Sequence, residues 1–168
     1  MHIVLIEPEI PGNTGNIARL CAASGMELHL VKPLGFSTDD RHLKRAGLDY
    51  WHLVRVHYHE NFGEVLSLYG EHPFHYCSTK APRTHAEAIF GPEDMLVFGK
   101  ETAGIPEEIL ATHWESCIRI PMMEGARSLN LSNAVAIVAY EALRQQRFPN
   151  LATKGSGLSL QRNPEDIP

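Results

Sequence analysis

Between residues 127 and 143 the chain reads Arg-Ser-Leu-Asn-Leu-Ser-Asn-Ala-Val-Ala-Ile-Val-Ala-Tyr-Glu-Ala-Leu. Five hydrogen-bonding side chains, Arg127, Ser128, Asn130, Ser132 and Asn133, run straight into an apolar stretch from Ala134 to Tyr140. That stretch predicts a helix hydrophobic nearly all round, and therefore buried. Its first turn carries unpaired backbone N–H groups, with Ser and Asn beside them to cap or to bind. Ser132 or Asn133 alone would satisfy a cap, so the surplus polarity suggests a ligand site. Two other segments share its character. Asn13-Thr14-Gly15-Asn16 leads into Arg19, and taken alone is compatible with a turn and a cap only. Gly99-Lys100-Glu101-Thr102-Ala103-Gly104 lacks both the Gly-Lys-Ser/Thr ending of a phosphate loop and the G-x-G-x-x-G spacing. Nucleotide-phosphate chemistry is poorly supported. Glycine admits close backbone approach, and with neutral hydrogen-bonders it suits a ligand held by main-chain groups.

The elements that must position these segments alternate. Ile3–Ile6, Leu28–Val31, Leu53–Val56, Phe74–Cys77, Met95–Phe98 and Cys117–Ile120 read as short buried strands. Helices are predicted from Thr14 to Ser24, from Thr38 or Asp39 through Arg45, over Glu60–Tyr69, over Pro106–Glu115 and in the final apolar stretch. Such alternation predicts an α/β fold, a mostly parallel sheet with helices on both faces. Ligands in such sheets bind outside the carboxyl ends of the strands, where all three polar segments fall.

Bulk properties set outer limits. At 168 residues one domain is expected, placed at residues 1–148, with 149–168, rich in Gly, Ser, Pro and charge, read as a mobile tail. The net charge of −5 provides no global basic field for nucleic acid, so RNA contact would need a local patch or a dimer groove. Cys21, Cys77 and Cys117 are an odd number scattered in apolar segments, which reads as reduced and cytoplasmic. No stretch has the length of a membrane span, and no signal peptide is apparent.

In order along the chain, Asn13-Thr14-Gly15-Asn16-Ile17-Ala18-Arg19, Phe98 through Pro106, and Arg119-Ile120-Pro121-Met122 with Ser128-Leu129-Asn130-Leu131-Ser132-Asn133-Ala134 resemble the three motifs of the SPOUT superfamily of RNA 2′-O-methyltransferases. Glu7-Pro8-Glu9-Ile10-Pro11 and Arg45-Ala46-Gly47-Leu48-Asp49-Tyr50 are similar, more narrowly, to the branch acting on the wobble cytidine or uridine of tRNA. The likeness spans roughly residues 2 to 148.

The resemblance implies S-adenosylmethionine as cofactor, cradled in a trefoil knot from about Cys77 to Leu143, a topology otherwise essentially absent from proteins. It implies cofactor contacts at Cys77, Gly99, Ile120, Ser128 and Leu129, largely through backbone. Arg19 would sit at the reacting ribose hydroxyl, reaching from its own or the partner subunit. Asn13, Ser128 and Asn130 would orient nucleotide and cofactor, and Glu101 would hold its loop or anchor Arg19. Guanidinium stays protonated in proteins, so Arg19 suits a phosphate clamp and a developing alkoxide better than the role of base. The family also implies a homodimer joined through the first and last helices, whose alanines allow close approach. The expected substrate is tRNA, in leucine isoacceptors, with Arg41, Lys44 and Arg45 supplying phosphate contacts. Another tRNA or rRNA site, or an RNA-binding module without catalysis, are the alternatives; intact Asn13, Arg19, Glu101, Ser128 and Asn130 favour the enzyme.

No metal is expected. His57 and His59 share a strand face, but no third ligand lies nearby at a zinc spacing. Tyr50 and Trp51 could stack on bases or simply pack.

Overall fold

A computed structural model describes residues 1–37 and 48–155. Strands β1 (His2–Ile6), β2 (Glu27–Val31), β3 (Val56–His59), β4 (Phe74–Cys77), β5 (Arg83–Thr84), β6 (Met95–Phe98) and β7 (Cys117–Arg119) form one sheet in the order β3-β2-β1-β6-β4-β7-β5. All its pairings are parallel. The described α-helices are α1 (Pro11–Ser24), α2 (Phe62–Tyr69), α3 (Glu107–Thr112) and α4 (Leu131–Gln145). The expected α/β class and parallel sheet are present.

Strand periodicity of two splits the core into layers. Ile3 and Leu5 of β1, with Leu28 and Leu30 of β2, pack with Ile17, Ala18 and Cys21 of α1 and Val135, Val138 and Ala142 of α4. Val4 and Ile6 face the other way, toward Val65 of α2 and Leu110 of α3. Cys21 and Cys117 are buried, and burial pushes the Cys21 thiol up to about 12, so it behaves as a small hydrophobe. Trp51 is half-buried and packs against the first layer, as the packing alternative for that residue expects. Among the described residues no helix is long and apolar enough to cross a membrane.

Several boundaries differ from expectation. Helix α1 begins at Pro11, not Thr14, and ends at Gly25 in the left-handed conformation. Leu48–Leu53 is a 3₁₀ turn with Leu53 exposed, and the strand expected at 53–56 starts at Val56 instead. Helix α2 starts at Phe62, because the Asn61 side chain accepts from the Glu64 N–H and caps it. Helix α3 stops at Thr112 and hands over to a 3₁₀ turn at Trp114–Ser116. The two-residue β5 was not anticipated. The α4 helix is not buried all round: Ile137 and Tyr140 are 40% and 45% exposed in the single chain. The helix expected at 38–45, with Arg41, Lys44 and Arg45, lies outside the described residues.

Candidate active site

The β1–α1 connection begins with a strained residue. Glu7 has φ 50°, rarely adopted by a side-chain-bearing residue, and its carboxylate accepts from the Lys100 ammonium at 2.7 Å. That contact holds Lys100 above its ordinary pKa. Glu9 accepts from Thr102 N and Oγ1 at 3.2 and 2.7 Å. In return the Glu101 carboxylate accepts from Glu9 N at 2.8 Å, Ile10 N at 3.2 Å and Asn13 Nδ2 at 2.9 Å. The loop after β6 is thus stitched to the loop after β1 at the point where the strand order reverses. Glu101 also places negative charge at the start of α1, where the helix dipole favours it.

From Asn13 the network continues to the third segment. Asn13 is buried, and its Oδ1 accepts from Asn130 Nδ2 at 2.9 Å. Asn130 Oδ1 accepts in turn from Ser132 N at 2.9 Å, Asn133 N at 3.4 Å and Ser132 Oγ at 2.7 Å. Asn130 is therefore the cap of α4, not Ser132 or Asn133. Asn130→Ala should lower stability by about 2 kcal/mol, combining a lost cap with a buried, half-satisfied Asn13. Urea denaturation measures this; an unchanged midpoint would leave the network without energetic weight.

These three loops surround a cavity of about 610 Å³ at the carboxyl ends of β4, β6 and β7, a size suited to a cofactor. Cys77, Gly99, Ile120, Ser128 and Leu129 all line it, as do Asn13, Glu101 and Asn130. Apolar Ile118, Leu131 and Val138 form its floor beside the polar loops. A Cβ on Gly99 would lie 1.9 Å from Gly104 C and 2.1 Å from Ile105 N, so only glycine permits this doubling-back of the chain. Gly104, at φ 73°, closes the loop by donating from its N–H to Lys100 O at 2.8 Å.

Arg19 is absent from the lining; it stands on the exposed side of α1. The Glu101 carboxylate accepts from Glu9, Ile10 and Asn13, which supplies the loop-holding role expected of it. Arg127, part of the polar cluster singled out in the sequence, lines the cavity, and so does Arg119, which had been given no role of its own. Arg119 ends β7, and position at a carboxyl strand end was the signal available for it.

The sequence profile of the SpoU rRNA Methylase family matches residues 1–140. The chain belongs to that family. A tRNA (cytidine(34)-2'-O)-methyltransferase of Methylovorus glucosotrophus (strain SIP3-4) is 50% identical over 147 residues, covering 87% of this SpoU methylase and 96% of the relative. A solved structure described as giving structural insights into the 2-OH methylation of C/U34 on tRNA superimposes with TM-score 0.83 at 45% identity, over 87% of this chain and 95% of that one. The SpoU methyltransferase AviRb from Streptomyces viridochromogenes, solved in complex with the cofactor AdoMet, shares the fold at TM-score 0.76 and 24% identity, over 88% of this chain and 58% of that one.

Proposed function

We propose that this SpoU methylase transfers a methyl group from S-adenosylmethionine to the ribose 2′-hydroxyl of the wobble cytidine or uridine of tRNA, in leucine isoacceptors, as a cytoplasmic homodimer. The observation that carries the reading is the Glu101–Asn13–Asn130 chain, which clamps three loops around one cavity. The substrate rests on likeness to relatives bearing that name along nearly their whole length. The cavity fits the cofactor in three respects: its volume, its apolar floor, and a glycine-backed wall that offers main-chain groups. When bound, S-adenosylmethionine supplies an electrophilic methyl on a sulfonium.

The chain's own residues do the rest. Cys77, Gly99, Ile120, Ser128 and Leu129 would hold the cofactor, with Asn13, Glu101 and Asn130 fixing the loops that carry them. A ribose hydroxyl is a weak nucleophile and must be positioned. Arg19, permanently charged, would clamp a flanking phosphate and steady the developing alkoxide. Arg41, Lys44 and Arg45 would add phosphate contacts, making binding weaken steeply with salt. An anticodon loop suits a protein this small, because it presents an unstacked nucleotide without a duplex to open.

The C-terminal knot belongs to the same reading. It is supported by β7, which sits between β4 and β5, with Ser78 N donating to Ile118 O at 2.9 Å. A chain leaving β7 and passing the 78–82 connection on its way to α4 would complete the knot. Residues 1–148 would form the one domain, and 149–168 the tail. The exposed Ile137 and Tyr140 on α4 support a partner subunit seated there.

Methyl transfer to separated tRNA and rRNA fractions tests the reading, with mass spectrometry of nuclease digests to place the label. Label should enter tRNA as 2′-O-methylated nucleotide 34. Label entering rRNA, or another tRNA position, would overturn the substrate assignment.

A further inference from the structure

The amino-terminal edge of the sheet, opposite the cavity, carries side chains that methyl transfer does not use. Strands β1, β6 and β4 are neighbours there. His2 opens β1, Glu93 lies just before β6, and His72 just before β4. His2 is 6% exposed, and its Nε2 has no hydrogen-bond partner among the described residues. Glu93 Oε2 stands 3.7 Å from that nitrogen, too far for a hydrogen bond. The donor atoms of His2, His72 and Glu93 all lie within 4.8 Å of one another.

We propose that His2, His72 and Glu93 form a binding site for a divalent transition metal of the zinc class. Two imidazoles and a carboxylate are a donor set such ions take, with water in the remaining position. Ring protonation fits. His72 Nδ1 lies 2.8 Å from the Glu93 carbonyl oxygen; a carbonyl only accepts, so Nδ1 donates and the neutral ring leaves a lone pair on Nε2. His2 Nδ1 lies 3.0 Å from His29 Nε2, and donation in that direction leaves His2 Nε2 likewise bare. A metal-bound histidine characteristically has its other ring nitrogen held in this way.

Closure around a metal needs donor separations of about 3.3 Å, given Zn–N bonds near 2.05 Å and tetrahedral angles. Burial fixes His2, while the Glu93 side chain is 67% exposed and free to swing inward. The neighbouring set His2, Glu27 and His29 is a poorer candidate. Glu27 already accepts from Arg55 at 3.0 Å and bonds His57 at 2.8 Å. Both ring nitrogens of His29 are engaged, by His2 and by His59. A metal at the first set would tie together the starts of three adjacent strands.

The test uses full-length protein without a polyhistidine tag, which would bring ligands of its own. Zinc titrated to about a hundredfold excess over its Kd should raise Tm by about 5–10 °C, and calorimetry should find one equivalent bound. His72→Ala and Glu93→Ala should each abolish the rise, while His52→Ala, an exposed histidine outside the cluster, should keep it. If His72→Ala fails to fold, Glu93→Ala decides. No rise in the unaltered protein, or a rise surviving in both variants, overturns the site. Methyl transfer should be unaffected in the two variants, so this test and that of the transferase reading fail separately.

Discussion

Arg19→Ala is expected to reduce methyl transfer by at least about a hundredfold, the scale of losing one group that stabilises developing negative charge. Cofactor affinity should stay within a few-fold, because Arg19 does not line the cavity. Equilibrium dialysis with S-adenosylmethionine and single-turnover transfer separate the two effects. Loss of cofactor binding in a folded Arg19→Ala protein would refute the assigned role. The exposed position of Arg19 on α1 gives the prediction a second arm. If each Arg19 serves the partner subunit's cavity, co-refolding Arg19→Ala with a cavity-dead variant such as Gly99→Ala should restore activity. Half of the dimers would be mixed, each with one intact site, so recovery should approach about a quarter of wild type. Recovery of nothing would place Arg19 in its own subunit's site, or the protein in a monomeric state.

How much of this was legible depends on how local each cause is. The six strand segments came from short apolar runs, and five stand within a residue of their expected ends. β3 was misplaced because Leu53 and Val54 look more strand-like than His57-Tyr58-His59. Those histidines lie in a strand paired with β2, where Glu27 and His29 meet them across the strands. The start of α1 was hidden for a similar reason. Ile10 provides no side-chain cap, and the carboxylate at that end comes from Glu101, distant in sequence. Asn130 as the cap of α4 was masked by the equally suitable Ser132 and Asn133. Strand order, with β7 entering between β4 and β5, depends on long-range packing that periodicity does not encode.

The site divides along the same line. Polar and glycine-rich segments at strand ends, together with the family resemblance, brought out Asn13, Gly99, Glu101, Ser128 and Asn130, which the structure gathers around one cavity. It could not reveal that Asn13 and Glu101 act on each other, because their hydrogen bond exists only once β1 and β6 are paired. The histidines were judged by spacing within one segment. The set His2, His72 and Glu93 is drawn from three separate segments and escapes any such rule.

Gly99→Ala is the substitution expected to injure the cofactor site most directly. Its Cβ would lie 1.9 Å from Gly104 C, 2.1 Å from Ile105 N and 2.2 Å from Gly104 O. All three are backbone atoms, so no side-chain rotation relieves the clash. The loop from 99 to 105 must move by more than an ångström to reach ordinary contact, and Glu101 moves with it. That displacement pulls Glu101 from Glu9, Ile10 and Asn13, and through Asn13 loosens Asn130 at the start of α4. Overpacking of this kind costs about 1–3 kcal/mol, which lowers Tm by several degrees in a chain of this size. Cofactor affinity should fall at least about a hundredfold, equivalent to some 2.7 kcal/mol. Gly12→Ala is the matched control, since its Cβ would meet nothing within 4 Å and alanine suits a helical position better than glycine. It should bind S-adenosylmethionine as the unaltered chain does, with equal or slightly higher Tm. A Gly99→Ala protein that still bound the cofactor at wild-type affinity would show that the loop after β6 is not the cofactor's wall.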